Sequence, residues 1–174
     1  MDETSPQRIL IVGSAGAGKS TFARDLGRVS GLPVVHLDAL YWRPGWIEPS
    51  REEWSQQLVG VLGEARWILD GNYGATMKQR ARAADAAVII ERSRYLCLWR
   101  IVRRYVRYRG RSRIDRAEGC AERIDWPFVV YVWRYPRVSR AKVERRLAEA
   151  GCESVVILRS QRDLDRYLGA WPPR

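Results

Sequence analysis

Three observations predict an α/β fold with a five-stranded parallel sheet and helices on both faces. Short β-rich runs alternate with helical patterns along the chain. A glycine-rich turn stands between the first apolar run and the first helical pattern. The length of 174 residues, 46% of them hydrophobic, suits one domain that buries a real core. No repeat, low-complexity stretch or linker divides the chain, so a single domain over 1–174 is expected.

Strands are predicted at 8–12, 33–37, 67–69 (ending at Asp70), 87–91 and 154–158, each an apolar run bounded by polar residues or glycine. The first helix, at 19–29, follows the glycine-rich turn directly. Ser50 and Glu53 form a capping-box pattern behind Pro49, and Trp54, Leu58, Val61 and Leu62 then share one face of a helix of about four turns. Over 94–108, Tyr95, Leu98, Trp99, Val102, Tyr105 and Val106 repeat at helical spacing, and Gly110 is the expected stop. Helices are expected at 125–135 and 137–150 on either side of a break at Pro136, with Gly151 as C-terminal cap, and a last short helix at 160–169.

The turn reads Gly13-Ser14-Ala15-Gly16-Ala17-Gly18-Lys19-Ser20-Thr21, directly after Ile9-Leu10-Ile11-Val12. Glycine permits the sharp bends that point consecutive backbone N–H groups at an anion, and the positive end of the following helix adds to the attraction. Lys19 is expected to reach the β and γ phosphates of ATP or GTP, and Ser20 to place its hydroxyl on Mg²⁺. Of 31 basic residues only Lys19, Lys78 and Lys142 are lysine, so an arginine-writing chain keeps lysine where a guanidinium fork would fit badly.

No apolar run approaches the roughly 18 residues of a membrane span, and the polar, acidic start of the chain is unlike a signal peptide, so a cytoplasmic protein is expected. Cys97, Cys120 and Cys152 are odd in number and far apart, which suggests neither a disulfide framework nor a zinc site. In sheets of this kind ligands bind beyond the carboxyl ends of the strands. Asp70 ends the third strand and is the expected acid on the Mg²⁺ side. Asp38 follows the second; it either orients or deprotonates a substrate hydroxyl or serves as a turn residue before Ala39. His36, on the same side of its strand as Asp38, reads as a packed residue rather than an acid or base.

Residues 92–146 carry 17 basic against five acidic residues, and the remainder 14 against 15, so the whole excess behind the net charge of +11 lies in one stretch. Arg100, Arg104, Arg107 and Arg111 fall on one helical stripe that runs on to Arg113. Such a stripe either closes over a transferring phosphoryl group or lies along a nucleic-acid backbone.

The chain as a whole resembles the P-loop kinase-like family of DNA topology modulation (FlaR-like) proteins, relatives of adenylate and shikimate kinases. The resemblance rests on the glycine-rich loop, on residues 36–46 (HLDALYWRPGW), on 67–73 (WILDGNY), on Arg100 through Arg113, and on 119–123 (GCAER). It implies a nucleoside monophosphate kinase-type fold with an acceptor side at 38–65 and an arginine-rich lid at 104–125. It further implies that Arg100 and Arg104 grip ATP phosphates and that Asp70-Gly71 is the Mg²⁺-side pair. Arg111 and Arg113 would come down with the lid and exclude water. Where adenylate kinases continue with Phe-Pro-Arg to hold the acceptor phosphate, this chain has Asn72-Tyr73-Gly74. Arg80 is the expected replacement for that contact. Tyr41, Trp42 and Trp46 either stack a base or sugar or pack as a cluster under loops.

The leading expectation is an ATP- and Mg²⁺-dependent kinase acting on a small acceptor such as a nucleoside monophosphate, without a membrane partner. Nucleotide-gated DNA binding is the alternative, although no helix-turn-helix signature or zinc-finger spacing supports it.

Overall fold

The computed structural model describes residues 5–108, 119–120 and 124–171. Five strands, β1 (Arg8–Gly13), β2 (Val34–His36), β3 (Trp67–Asp70), β4 (Ala86–Ile90) and β5 (Val155–Leu158), form one sheet in the order β2-β3-β1-β4-β5. Every pairing is parallel. The register sets His36 beside Asp70, Ile11 beside Asp70, and Gly13 beside Ile90. His36, Asp70 and Gly13 therefore share the carboxyl edge of the sheet, where α/β folds place their ligands.

β1 is the middle strand, and Ile9, Leu10, Ile11 and Val12 are all fully buried, as expected of a strand covered on both faces. Alternation divides its side chains between two cores. Ile9 and Ile11 pack with Phe22 and Leu26 of helix α1 (Lys19–Ser30), Ile101 of α5 (Arg94–Tyr108) and Leu164 of α7 (Gln161–Gly169). Leu10 and Val12 pack with Leu58 of α3 (Arg51–Gly63), Met77 of α4 (Met77–Ala83) and Leu147 of α6 (Trp126–Glu149). The capping box on α3 forms as expected: Glu53 N donates to Ser50 Oγ while Ser50 N donates to Glu53 Oε2.

Two expectations about the helices require correction. Helix α6 runs unbroken through Pro136. Proline removes one N–H from the ladder, but Val132 and Tyr135 are buried on one side of it and Val143 and Leu147 on the other, and this burial outweighs the local cost. In α5 the inward face is Cys97 and Ile101, whereas Tyr95, Trp99, Val102 and Val106 are exposed. Helical spacing marked the stripe correctly but not which side of it meets the sheet. Residues 74–76 form a 3₁₀ turn leading into α4, and Leu37–Tyr41 form a short helix, α2; neither carries a strong sequence signal. Gly110, Arg111 and Arg113 lie outside the described residues, as does most of the expected lid. No helix among the described residues is long and apolar enough to cross a membrane.

Candidate active site

The loop after β1 turns on two glycines that no other residue replaces without displacement. At Gly13, φ +148°, an added Cβ would stand 2.3 Å from the Ile90 carbonyl oxygen; at Gly16, φ +78°, it would stand 2.4 Å from that of Cys97. Ala17 N donates to Ser14 O at 3.1 Å and closes the turn. Helix α1 then starts at Gly18 with neither a side-chain cap nor an acidic residue in its first turn. Its leading amides are left to an anion, as in other phosphate cradles. Lys19 Nζ donates to Ser14 O at 3.1 Å, so the ammonium lies across the loop it is expected to serve.

A cleft of about 550 Å³ opens over this loop, within the range of small-molecule sites. Ala15, Gly16, Gly18, Lys19, Ser20 and Thr21 form its floor, Arg100 and Arg104 one wall, and Asp38, Trp42, Trp46 and Tyr73 the opposite wall. Arg100 Nη1 donates to Ala17 O at 3.2 Å, tying α5 to the loop. Neither Gly13 nor Ala17 lines this cleft, although Ala17 lines a neighbouring cavity. A second cavity of about 230 Å³ shares Gly18, Thr21 and Arg100 with the first and runs between α1 and α7, past Phe22, Leu164 and Leu168.

Asp70 is 5% exposed. Its Oδ2 accepts from His36 Nδ1 at 2.9 Å, and its Oδ1 is buried without a partner. Ser20 lines the same cleft. A buried carboxylate oxygen that has no partner among the described residues, in a cleft that also holds a hydroxyl, is oxygen chemistry suited to Mg²⁺, which takes one or two carboxylates and completes its shell with phosphate and water. His36 is thus the orienting partner of Asp70 and not merely packed. The alternation that set His36 and Asp38 on one side did not disclose its neighbour on β3.

Asp38 lies in α2, two residues past the end of β2, and its Oδ1 accepts from Tyr73 Oη at 2.8 Å. Burial above all, with the charge of Asp38 next, raises the Tyr73 phenol far above its usual range, so the phenol stays a donor. Tyr73 holds φ +29° and Trp46 φ +65°; both line the cleft, and they are the only non-glycine residues at positive φ among those described. Such strain concentrates where side chains must be aimed. Trp46 is held by a tight reversal in which Arg43 N donates to Ile47 O and Trp46 N to Arg43 O, and its ring meets Trp42 edge-on at 5.2 Å.

Asn72 locks the two halves together. Its Oδ1 accepts from Gly13 N at 3.1 Å, and its Nδ2 donates to Gly13 O at 2.8 Å and Tyr131 Oη at 2.9 Å. The departure from Phe-Pro-Arg therefore supplies a clamp on the phosphate loop.

Two expected substrate contacts lie elsewhere. Arg80 is fully buried, and its guanidinium donates to the carbonyls of Gly71, Asn72 and Tyr73 and to Thr76 Oγ1. Burial pulls its pKa down to about 10, which still leaves it charged at neutral pH. It fixes the strap 71–73 from beneath and does not reach the cleft. Tyr41 stands behind the wall, packed against Trp42, Trp54 and Tyr73, with its Oη donating to Glu48 Oε2. The aromatics divide into two layers: Trp42 and Trp46 line the cleft, and Tyr41 packs behind them.

A shikimate kinase from Bacteroides thetaiotaomicron matches this structure with a TM-score of 0.54, covering 95% of each chain at 16% identity. A sugar kinase from a Janibacter species matches with a TM-score of 0.51, over 96% of this chain and 94% of that one, at 13% identity. The fold is that of a P-loop kinase. No family model matches the chain. In sequence, the ATP-dependent protease ATPase subunit HslU of Caldicellulosiruptor saccharolyticus is 31% identical over 91 residues, 52% of this chain and 19% of that protein. The subunit from Treponema denticola is 34% identical over 61 residues, 34% of this chain and 13% of its own. The chain spans less than a fifth of the length of these curated relatives. The P-loop kinase fold, by contrast, accounts for nearly the whole chain.

Proposed function

We propose that this protein is an ATP- and Mg²⁺-dependent phosphotransferase that moves the γ-phosphoryl group of ATP to a hydroxyl of a small acceptor, and that among P-loop kinases it groups with the FlaR-like proteins. One observation carries the reading: a single cleft sets an anion-binding loop and two arginines against a carboxylate on the facing wall. A nucleoside triphosphate laid along the loop would place its phosphates on the α1 amides and Lys19, and its base in the cavity between α1 and α7. Ser20 and Asp70 Oδ1 would hold Mg²⁺, which neutralises charge on the β and γ phosphates. Arg100 and Arg104 meet the charge that develops during transfer, and Arg111 and Arg113 are assigned to closure over it. Asp38 takes the proton of the acceptor hydroxyl, whose oxygen bonds to the γ-phosphorus as the bond to the β–γ bridging oxygen breaks and ADP leaves with that electron pair. Catalysis here is mostly positioning and charge neutralisation.

Coupled ADP release with ATP, Mg²⁺ and a panel of hydroxyl compounds tests the reading, with Lys19→Ala as control. Acceptor-stimulated release that is lost in the variant is expected. Slow hydrolysis indifferent to every acceptor but stimulated by duplex DNA would overturn it in favour of a DNA-dependent ATPase.

A further inference from the structure

A small cavity lies against the phosphate loop and shares no lining residue with the cleft. Its volume is about 10 Å³, room for one atom-sized ligand and not for a phosphate. Ser14 of the loop, Arg92 between β4 and α5, and Tyr135 and Arg140 of α6 line it, with Glu91. Ser14, Arg92 and Tyr135 are 4%, 8% and 5% exposed, and Ser14 Oγ, Arg92 Nη1 and Tyr135 Oη have no hydrogen-bond partner. Five buried side-chain atoms among the described residues are unpartnered in this way, and three of them belong to residues around this one cavity. Buried polar atoms are paired as a rule, so three lapses at one place point to a ligand.

The charge around the cavity is unbalanced as well. Glu91 Oε1 accepts from Arg140 Nη1 and its Oε2 from Arg159 Nε, and Arg140 Nε donates in turn to Glu144 Oε1. Those two arginines and two glutamates neutralise one another. The Arg92 guanidinium stands apart, with no hydrogen bond or ion pair among the described residues. Its Nη1 has no exposed surface, so a group approaching from outside the fold cannot supply the missing charge. Burial, and after it the charge of Arg100, push the Arg92 pKa below its ordinary value, while Asp163 pulls the other way without pairing with it. Asp163 Oδ2 is spent on the amides of Arg159 and Ser160. The Cys97 thiol lies close to Ser14 Oγ but not in hydrogen-bonding geometry, and burial raises its pKa, so it stays neutral. An arginine keeps its proton in any of these surroundings, and a buried cation left unpaired is among the costliest features a fold can carry.

We propose that this cavity is a site for a single monatomic anion of the halide class, held by Ser14 Oγ, Arg92 Nη1 and Tyr135 Oη. All three atoms can donate, which suits an anion; a water molecule fills hydrogen bonds but brings no charge to Arg92. The ion acts on the loop through Ser14, whose carbonyl oxygen accepts from Ala17 N and Lys19 Nζ. An anion fixed on Ser14 Oγ therefore ties the turn of the phosphate loop to α6 and to the start of α5. The proposal does not depend on what the cleft binds.

Two measurements on the full chain test it. Crystals grown from bromide are examined at the bromine absorption edge, and the thermal midpoint is followed as gluconate is replaced by chloride at constant ionic strength. An anomalous peak in contact with Ser14 Oγ, Arg92 Nη1 and Tyr135 Oη is expected, and the midpoint should rise by about 3 °C by about 0.2 M chloride. Tyr135→Phe and Ser14→Ala each remove one donor oxygen, and either should need at least ~10-fold more chloride for the same rise. Because the readout is the response to chloride and not the midpoint itself, a general loss of stability does not imitate the result. A cavity without an anomalous peak, whether or not it holds water, overturns the proposal. So does a chloride response that is the same in both variants as in the unaltered chain, which would place the stabilising ion elsewhere.

Discussion

On the side of the cleft that we assign to the nucleotide, a ligand would be met by backbone: amides of the loop after β1 and the start of α1, held by glycines at positive φ. On the side that we assign to the acceptor it would be met by side chains, Asp38, Trp42, Trp46 and Tyr73, two of them on strained non-glycine backbone. The donor wall is basic and the acceptor wall acidic and aromatic. A phosphate chain is the same in every nucleotide, so one short contiguous loop suffices to hold it, and strand, turn and helix keep that loop in register. An acceptor has its own shape, so its wall is assembled from segments 38–46 and 70–73 and the start of α6, supported from behind by buried charge.

That contrast is open to attack by mutation. The largest effect is expected beneath the acceptor wall. Arg80→Ala strips three carbonyls and a hydroxyl of their donor and should lower stability by about 3 kcal/mol or more, read from the midpoint of urea unfolding. A near-native midpoint would mean that water replaces the guanidinium and that the strap needs no internal support. Next, Lys19→Ala should cost at least ~100-fold in phosphoryl transfer, with the unfolding midpoint shifted by no more than the loss of one part-buried hydrogen bond, since it removes a main electrostatic stabiliser and only the contact to Ser14 O. His36→Ala should raise the Mg²⁺ concentration required for half-maximal activity about 10-fold, because Asp70 loses the group that orients it. ATP-analogue binding measured without Mg²⁺ should not change. The smallest effect belongs to Trp42→Ala: acceptor KM should rise about fivefold with kcat held, the worth of one stacking contact. A fall in kcat with constant KM would give that indole a role in the transfer step and blur the division between the walls.

The same division separates what was legible in the sequence from what was not. The loop, α1, the five parallel strands and the α3 capping box follow local rules, in which the residues that decide a conformation are neighbours in the chain. Asp70 as a strand-end acid follows from the strand pattern, whereas periodicity gave Arg100 and Arg104 only a common stripe and the family resemblance implied their place beside the phosphate loop. The pairing of His36 with Asp70 joins β2 to β3, and the grip of Asn72 on Gly13 joins β3 to β1; contacts between strands leave no local trace. Arg80 was misplaced because an arginine at the surface and one at the centre of a carbonyl strap read alike in sequence. Pro136 was misread for the complementary reason: a local rule was applied where burial on both sides of the residue prevailed.

Two of the chain's eight tryptophans, Trp42 and Trp46, line the cleft, their rings 5.2 Å apart. Indole emission responds to the polarity and packing of its surroundings, so two of the eight indoles would report on the wall that we assign to the acceptor. An acceptor that displaces water from these rings would announce its arrival in the emission spectrum before any phosphoryl group has moved, without an attached dye and with nothing consumed.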